Sequence, residues 1–312
     1  MKPAADIVDL APPVTATTTA SSAKVPSRAA DFYELTKPRM NFLVVITTMV
    51  GFLLGTPRGL ADWILLLNTI IGTALCAASA SVLNQLMERR YDALMPRTRN
   101  RPLPAGRIAP SEALWFGSSL ALAGIVVLAS MVNVLTAVLG AVTIAWYLGL
   151  YTPAKRITSL NTVIGAVPGA IPPMMGFTAA QGTLSPAALA LFGILFFWQM
   201  PHFLAIAILY RNDYRLGGFK MLPCVETDEH MPLTGRMMVL YAIALVPVSL
   251  MPVMLNLAGP AYFTVAVLLG LAFLSFAVSC AVTGTRADAR KLFFASIIYL
   301  PLLLAAMMLD KM

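Results

Sequence analysis

The feature that most constrains how this chain can fold is a series of nine long apolar runs, at about 40–56, 63–87, 111–130, 134–150, 161–180, 186–209, 236–257, 261–283 and 292–309. At ~1.5 Å of rise per residue, a helix of roughly 17–25 residues crosses a hydrocarbon layer ~30 Å thick. Only 12% of the 312 residues are charged and 59% are hydrophobic, where a soluble domain carries about 25% charged residues. No water-soluble fold of this length has an interior large enough for so much apolar surface, so lipid is the solvent. Hydrocarbon offers the backbone no hydrogen-bond partner, which leaves helices or a closed barrel. The period-two alternation of barrel strands is absent. The expected fold is therefore all-α, a polytopic bundle of about nine transmembrane helices.

The charges set the expected orientation. Of 22 Lys and Arg, all but Arg58 and Lys311 fall in the N-terminal stretch or in and beside the connections that follow spans two, four, six and eight. Such a bias marks the cytoplasmic side. The N-terminus is expected in the cytoplasm and the C-terminus in the periplasm, across a bacterial inner membrane. The net charge of +8 is then a topological signal, and no nucleic-acid partner is expected. Residues 1–30, rich in Ala, Thr, Ser and Pro, read as a disordered cytoplasmic tail without the pattern of a signal peptide. Residues 31–312 read as one membrane domain. Cys76, Cys224 and Cys280 lack metal or disulfide spacing and read as small packing residues.

The chemistry concentrates in the two longest basic connections, 88–110 and 210–235, one after span two and one after span six. Asn84, Glu88 and Asp92 are spaced i, i+4, i+8 at the end of span two. Each step of four drifts only ~40° around a helix, so all three oxygens share a face. By itself this pattern also fits an ordinary solvated helix end. Arg97, Arg99 and Arg101 come next, within a proline-bracketed loop. Hard oxygens suit Mg²⁺ and the guanidinium fork suits phosphate oxygens, so the two clusters together describe a diphosphate site. His202, one of two histidines, lies in an apolar run after Pro201. A buried neutral imidazole is more often a satisfied core residue than a ligand. Asn161, at the start of span five, fits a helix cap as well as a ligand.

Asn84-x-x-x-Glu88-x-x-x-Asp92, continuing as Asp92-Ala93-Leu94-Met95-Pro96-Arg97-Thr98-Arg99-Asn100-Arg101-Pro102-Leu103-Pro104-Ala105-Gly106-Arg107, resembles the first signature of the UbiA superfamily of intramembrane prenyltransferases. The likeness is narrower with the branch that farnesylates haem. Tyr151-Thr152-Pro153-Ala154-Lys155-Arg156 resembles that branch's central block, and Phe197-Trp198-Gln199-Met200-Pro201-His202-Phe203 with Asp213-Tyr214 resembles its second signature. The resemblance runs from about Thr36 onward. It implies a bundle around a central cavity open to the cytoplasmic side, Mg²⁺ as cofactor, and transfer of a farnesyl group from farnesyl diphosphate to a vinyl group of haem B. It implies Asn84, Glu88, Asp92 and Asp213 as metal ligands and Arg97, Arg99, Arg101, Lys155, Arg156 and Tyr151 around the diphosphate. Asn84, Glu88, Asp92, Arg97, Arg101, Lys155 and Asp213 would carry catalysis, and His202 would contact the haem. The bilayer itself and a haem A synthase or terminal-oxidase assembly factor are the other partners it implies.

Two departures stand out. The superfamily commonly has Asp where this chain has Glu88, and its second acidic motif is commonly D-x-x-x-D, whereas Asp213 is followed by Gly217 at +4. One or two metal ions therefore remain open at this level. The rival within the superfamily is an enzyme acting on an aromatic quinone precursor or a chlorophyll-type acid. A secondary transporter is a more distant rival, because ionisable residues at mid-membrane depth, which transport would require, are nearly absent.

Overall fold

The computed structural model describes residues 27–57 and 59–312. The expected tail over 1–30 lies outside these residues up to position 26, as does Arg58, while the chain from Arg28 is already helical. In order, the elements are α1 (Arg28–Leu35), α2 (Pro38–Gly55), α3 (Trp63–Asp92), α4 (Pro110–Met131), α5 (Val134–Trp146), a π turn (Tyr147–Tyr151), α6 (Thr152–Ile157), α7 (Asn161–Gln181) and α8 (Pro186–Leu209). They continue as α9 (Arg211–Leu216), α10 (Leu222–Val225), α11 (Pro232–Met254), α12 (Pro260–Thr283) and α13 (Arg286–Leu309). Among the described residues nine helical stretches are long and apolar enough to cross a membrane, with α5, the π turn and α6 counting as one, and no β-strand occurs. The protein is an integral, multi-pass membrane protein.

The helix starts are written locally. Pro38, Pro110, Pro186, Pro232 and Pro260 stand in the first turn of their helices, where a missing N–H costs nothing. Asp62, Asn133, Ser185 and Thr285 accept first-turn N–H groups through their side chains. Three boundaries differ from the apolar runs by five residues or more. Helix α3 continues to Asp92, the fourth span continues through the π turn to Ile157, and α13 begins at Arg286. Apolarity marks depth in lipid, whereas a helix keeps its hydrogen bonds for another turn or two in the polar layer.

The centre of the bundle is α7 and α8, whose spans are 67% and 61% buried against 17–44% for the other seven. Small residues let α7 approach its neighbours. A Cβ on Gly51 would lie 2.0 Å from the Pro173 carbonyl oxygen, and one on Gly176 would lie 1.9 Å from that of Thr48. Helices α2 and α7 thus touch backbone to backbone, the close approach that drives association in lipid, where there is no hydrophobic gain in pairing. Pro168 cannot bond the Ile164 carbonyl as a helical residue would. Trp146 Nε1 donates to that carbonyl instead, at 2.9 Å. At the end opposite the basic loops, Lys311 Nζ donates to the Leu53 carbonyl (2.6 Å) and to that of Thr56, fastening α13 to the last turn of α2.

Candidate active site

The last two and a half turns of α3 build the site. Asn84, Glu88 and Asp92 lie on one face and all three are buried, with 1%, 7% and 2% of their surface exposed. Each has a partner brought from elsewhere. Lys155 Nζ donates to Glu88 Oε1 at 2.7 Å, and Arg101 Nη1 donates to Asp92 Oδ2 at 2.8 Å. Asn84 Nδ2 donates to Thr152 Oγ1 at 3.0 Å, and Lys37 Nζ donates to Asn84 Oδ1 at 3.3 Å.

Three local devices aim these groups. The Thr98 hydroxyl donates to the Asp92 carbonyl at 2.8 Å, which folds the arginine loop back so that Arg101 meets Asp92. The π turn inserts an extra residue into the fourth span and rotates the residues beyond it by about 100°. That rotation lets Thr152 and Lys155 face α3 together, and the Thr152 hydroxyl donates to the Tyr147 carbonyl at 2.8 Å. Tyr151 lies under the Lys155 ammonium, 4.6 Å from nitrogen to ring centroid. Gly165 leaves room for it, since a Cβ there would stand 2.4 Å from the Tyr151 ring.

The third device concerns Lys37, which by sequence is only one of the orienting charges. Helix α1 lies across the basic end, tied by Arg107 Nε donating to Asp31 Oδ1 (2.8 Å) and Gln85 Nε2 donating to the Leu35 carbonyl (2.7 Å). The link to α2 then turns sharply, with Lys37 in the left-handed region at φ 49° and ψ 56°. That conformation costs a residue with a Cβ about 1–3 kcal/mol and swings the partly buried ammonium onto Asn84. Burial, and then the positive charges of Arg101 and Lys155, pushes the Lys37 ammonium down to about 7. The only clue in the sequence was Lys37 directly before Pro38 at a helix start.

The remaining predicted residues form an outer ring. The Arg97 guanidinium stacks over Tyr210 at 4.9 Å and near Tyr214 at 5.8 Å, and that of Arg156 lies 3.9 Å from the Tyr91 ring centroid. Arg97 and Arg99 are exposed. Asp213 lies on α9 between Tyr210 and Tyr214, and its carboxylate makes no ion pair among the described residues. The Lys220 N–H donates to the Lys155 carbonyl at 2.7 Å, and Asn161 Nδ2 donates to the carbonyls of Lys220 (2.8 Å) and Thr158 (2.6 Å). Asn161 is thus a tie between loops. His202 sits elsewhere, on the face of α8 toward α13, stacked between Trp198 and Phe293 with centroids 5.0 and 5.2 Å away.

The arrangement is suited to an anion. Arg101 and Lys155 each meet a carboxylate while Lys37 meets the Asn84 amide oxygen, so basic groups exceed anions in a setting where desolvation makes an unpaired charge costly. A diphosphate would absorb the excess. Among the described residues no three His, Cys, Asp or Glu side chains gather to hold a metal by themselves. Two carboxylates and an amide oxygen on one face do fit a magnesium ion that completes its octahedron with substrate phosphates and water.

Residues 44–298 match the UbiA prenyltransferase family. Relatives named protoheme IX farnesyltransferase include one from Solibacter usitatus, 46% identical over 90% of this chain and 98% of its own. Another from Myxococcus xanthus is 43% identical over 94% and 98%. Among solved structures, one described for a digeranylgeranylglyceryl phosphate synthase superposes with a TM-score of 0.74 at 17% identity, covering 90% of this chain and 98% of that one. A UbiA homologue from Archaeoglobus fulgidus bound to GPP and Mg²⁺ gives a TM-score of 0.63 at 16% identity, over 89% and 99%.

Proposed function

Since the chain belongs to the UbiA prenyltransferase family, we propose that it transfers the farnesyl group of farnesyl diphosphate to a vinyl group of haem B, giving haem O and diphosphate. The observation that carries this reading is the buried meeting of Asn84, Glu88 and Asp92 with Lys37, Arg101 and Lys155, joined to near-full-length similarity to protoheme IX farnesyltransferases.

In the reaction the allylic C–O bond breaks, the diphosphate leaves with the electron pair, and the farnesyl cation is captured by the vinyl carbon. Water adds to the cation so formed next to the pyrrole ring and loses a proton, which completes a hydroxyethylfarnesyl side chain. Asn84, Glu88 and Asp92, with Asp213 from the neighbouring loop, would hold Mg²⁺, which when bound neutralises charge on the departing diphosphate. Lys37, Arg101 and Lys155 exchange their present partners for diphosphate oxygens and are in place before charge develops. Arg97, Arg99 and Arg156 form a basic rim that draws the anion inward. Tyr151 presents a π face beside the leaving group. The apolar helix walls take the farnesyl chain and keep water from the first cation. His202 contacts the haem, and the basic end faces the cytoplasm of a bacterial inner membrane, where a haem A synthase or oxidase assembly factor would receive the product.

The test is pigment extraction after incubating the purified chain with haem B, farnesyl diphosphate and Mg²⁺. A haem heavier by one farnesyl group plus water is expected. Unmodified haem together with a prenylated quinone precursor would transfer the assignment to the other branch of the family.

A further inference from the structure

We infer that Ser296 is a positioning residue that fixes the tautomer of His202 and leaves its Nε2 lone pair open to haem iron. The inference rests on haem being the acceptor. A single proton decides the tautomer. Ser296 Oγ lies 2.5 Å from the Phe293 carbonyl oxygen and 2.6 Å from His202 Nδ1. Two oxygens approach to 2.5 Å only with a hydrogen between them, and the serine hydroxyl has a single proton to give. That proton is committed to the Phe293 carbonyl. The hydroxyl oxygen can then only accept from the imidazole, so the hydrogen of a neutral ring sits on Nδ1. Nε2 keeps its lone pair.

His202 is half-buried, and its Nε2 reaches the protein surface. Here Nδ1 is bonded and Nε2 makes no hydrogen bond with any described residue. The ring cannot turn away to find one. It is held between the indole of Trp198 and the ring of Phe293, with interplanar angles of 20° and 26°. Trp198 Nε1 in turn donates to the Ser296 carbonyl at 2.9 Å, so α8 and α13 are locked at this level by two of the three residues that hold the imidazole. A ligand histidine whose other nitrogen donates to a fixed acceptor is the usual arrangement at a metal, where the acceptor selects the tautomer and raises the basicity of the ligating nitrogen. Imidazole is a common axial ligand of haem iron. The depth is suitable as well. His202 lies seven residues before the end of α8 and Asn84 eight before the end of α3, ~10–12 Å from the basic end along each helix.

The test uses the full chain in detergent, titrated with ferric protohaem IX and followed by absorption and electron paramagnetic resonance. The wild-type protein is expected to show an imidazole-ligated iron, and His202→Ala to lose that signature. Ser296→Ala should weaken haem binding by ~10-fold or more, in line with the effect of removing a ligand's supporting hydrogen bond, and alter the spectrum. Ser296→Thr should restore both. Affinity for farnesyl diphosphate with Mg²⁺ should stay unchanged throughout. A Ser296→Ala protein with wild-type spectrum and affinity overturns the inference. So does a parallel loss of farnesyl diphosphate affinity, or a failure of Ser296→Thr to restore the signature, because either makes the serine structural. Haem that binds the wild-type protein but ignores both substitutions overturns it while leaving the acceptor in place. Failure of the wild-type protein to bind haem overturns the acceptor with it.

Discussion

Single side chains at the site are held by partners that, in the proposed reaction, substrate displaces. Glu88 and Lys155 are buried together, and leaving either alone in such surroundings costs about 3–5 kcal/mol. Glu88→Gln is therefore expected to abolish turnover with less loss of folded protein than Glu88→Ala, measured as product formed against monodisperse protein in detergent. Lys37 gives a pH dependence whose sign is fixed. Its value in the folded protein is lowered to about 7, so a protonated Lys37 opposes folding, and stability rises as pH climbs from about 7 toward the ordinary lysine range. Lys37→Met should raise thermal stability of the substrate-free protein at pH 6.5, and the difference should shrink by pH 9. Its effect on substrate runs the other way. Affinity for farnesyl diphosphate should fall about tenfold, the worth of one charge-assisted hydrogen bond, and most strongly below pH 7. A variant equally impaired at pH 6.5 and 8.5 would deny Lys37 a titrating role.

Among the elements, the fourth span and α7 decide whether the site assembles. The π turn at Tyr147–Tyr151 is the single inserted residue that turns Thr152 and Lys155 toward α3. Deleting Leu150 should restore a plain helix, rotate Lys155 off Glu88 and lower turnover by ~100-fold or more while the protein stays in the membrane fraction. Gly176→Ala would drive a methyl group to 1.9 Å from the Thr48 carbonyl. It is expected to separate α2 from α7 and lower the melting temperature in detergent, with activity falling in step. The apolar runs were legible because their length against the lipid thickness is a local property of the sequence. The π turn was not, since Tyr147–Tyr151 reads as part of an unbroken apolar span whose phase is set by contacts with other helices.

For the molecule as a whole, the basic loops, α1 and the ends of α3 and α6 gather at one end, and the rest is apolar helix. Chelation with EDTA should abolish turnover and added Mg²⁺ should restore it, with the fold unchanged by circular dichroism. Activity persisting in EDTA would remove the metal from the scheme. Reporter fusions in the 88–110 and 210–235 connections should report the cytoplasm, and one after Lys311 the periplasm. The arginine-rich loop reads from sequence as a single cluster on the diphosphate. The structure divides it, placing Arg101 on Asp92 and Arg97 on the rings of Tyr210 and Tyr214.

Length and spacing of apolar runs, charge asymmetry and the Asn84-Glu88-Asp92 periodicity determined by themselves that the chain spans a membrane with an oxygen-lined helix face at one end. Those properties are one-dimensional, since lipid thickness and helix pitch convert counts of residues directly into geometry. Which cations meet that face was decided only in three dimensions. Lys37, Lys155 and Ser296 stand 47, 67 and 94 residues from the side chains they hold. No local preference encodes such distances; they arise from which helices pack together and from the turn of each about its axis.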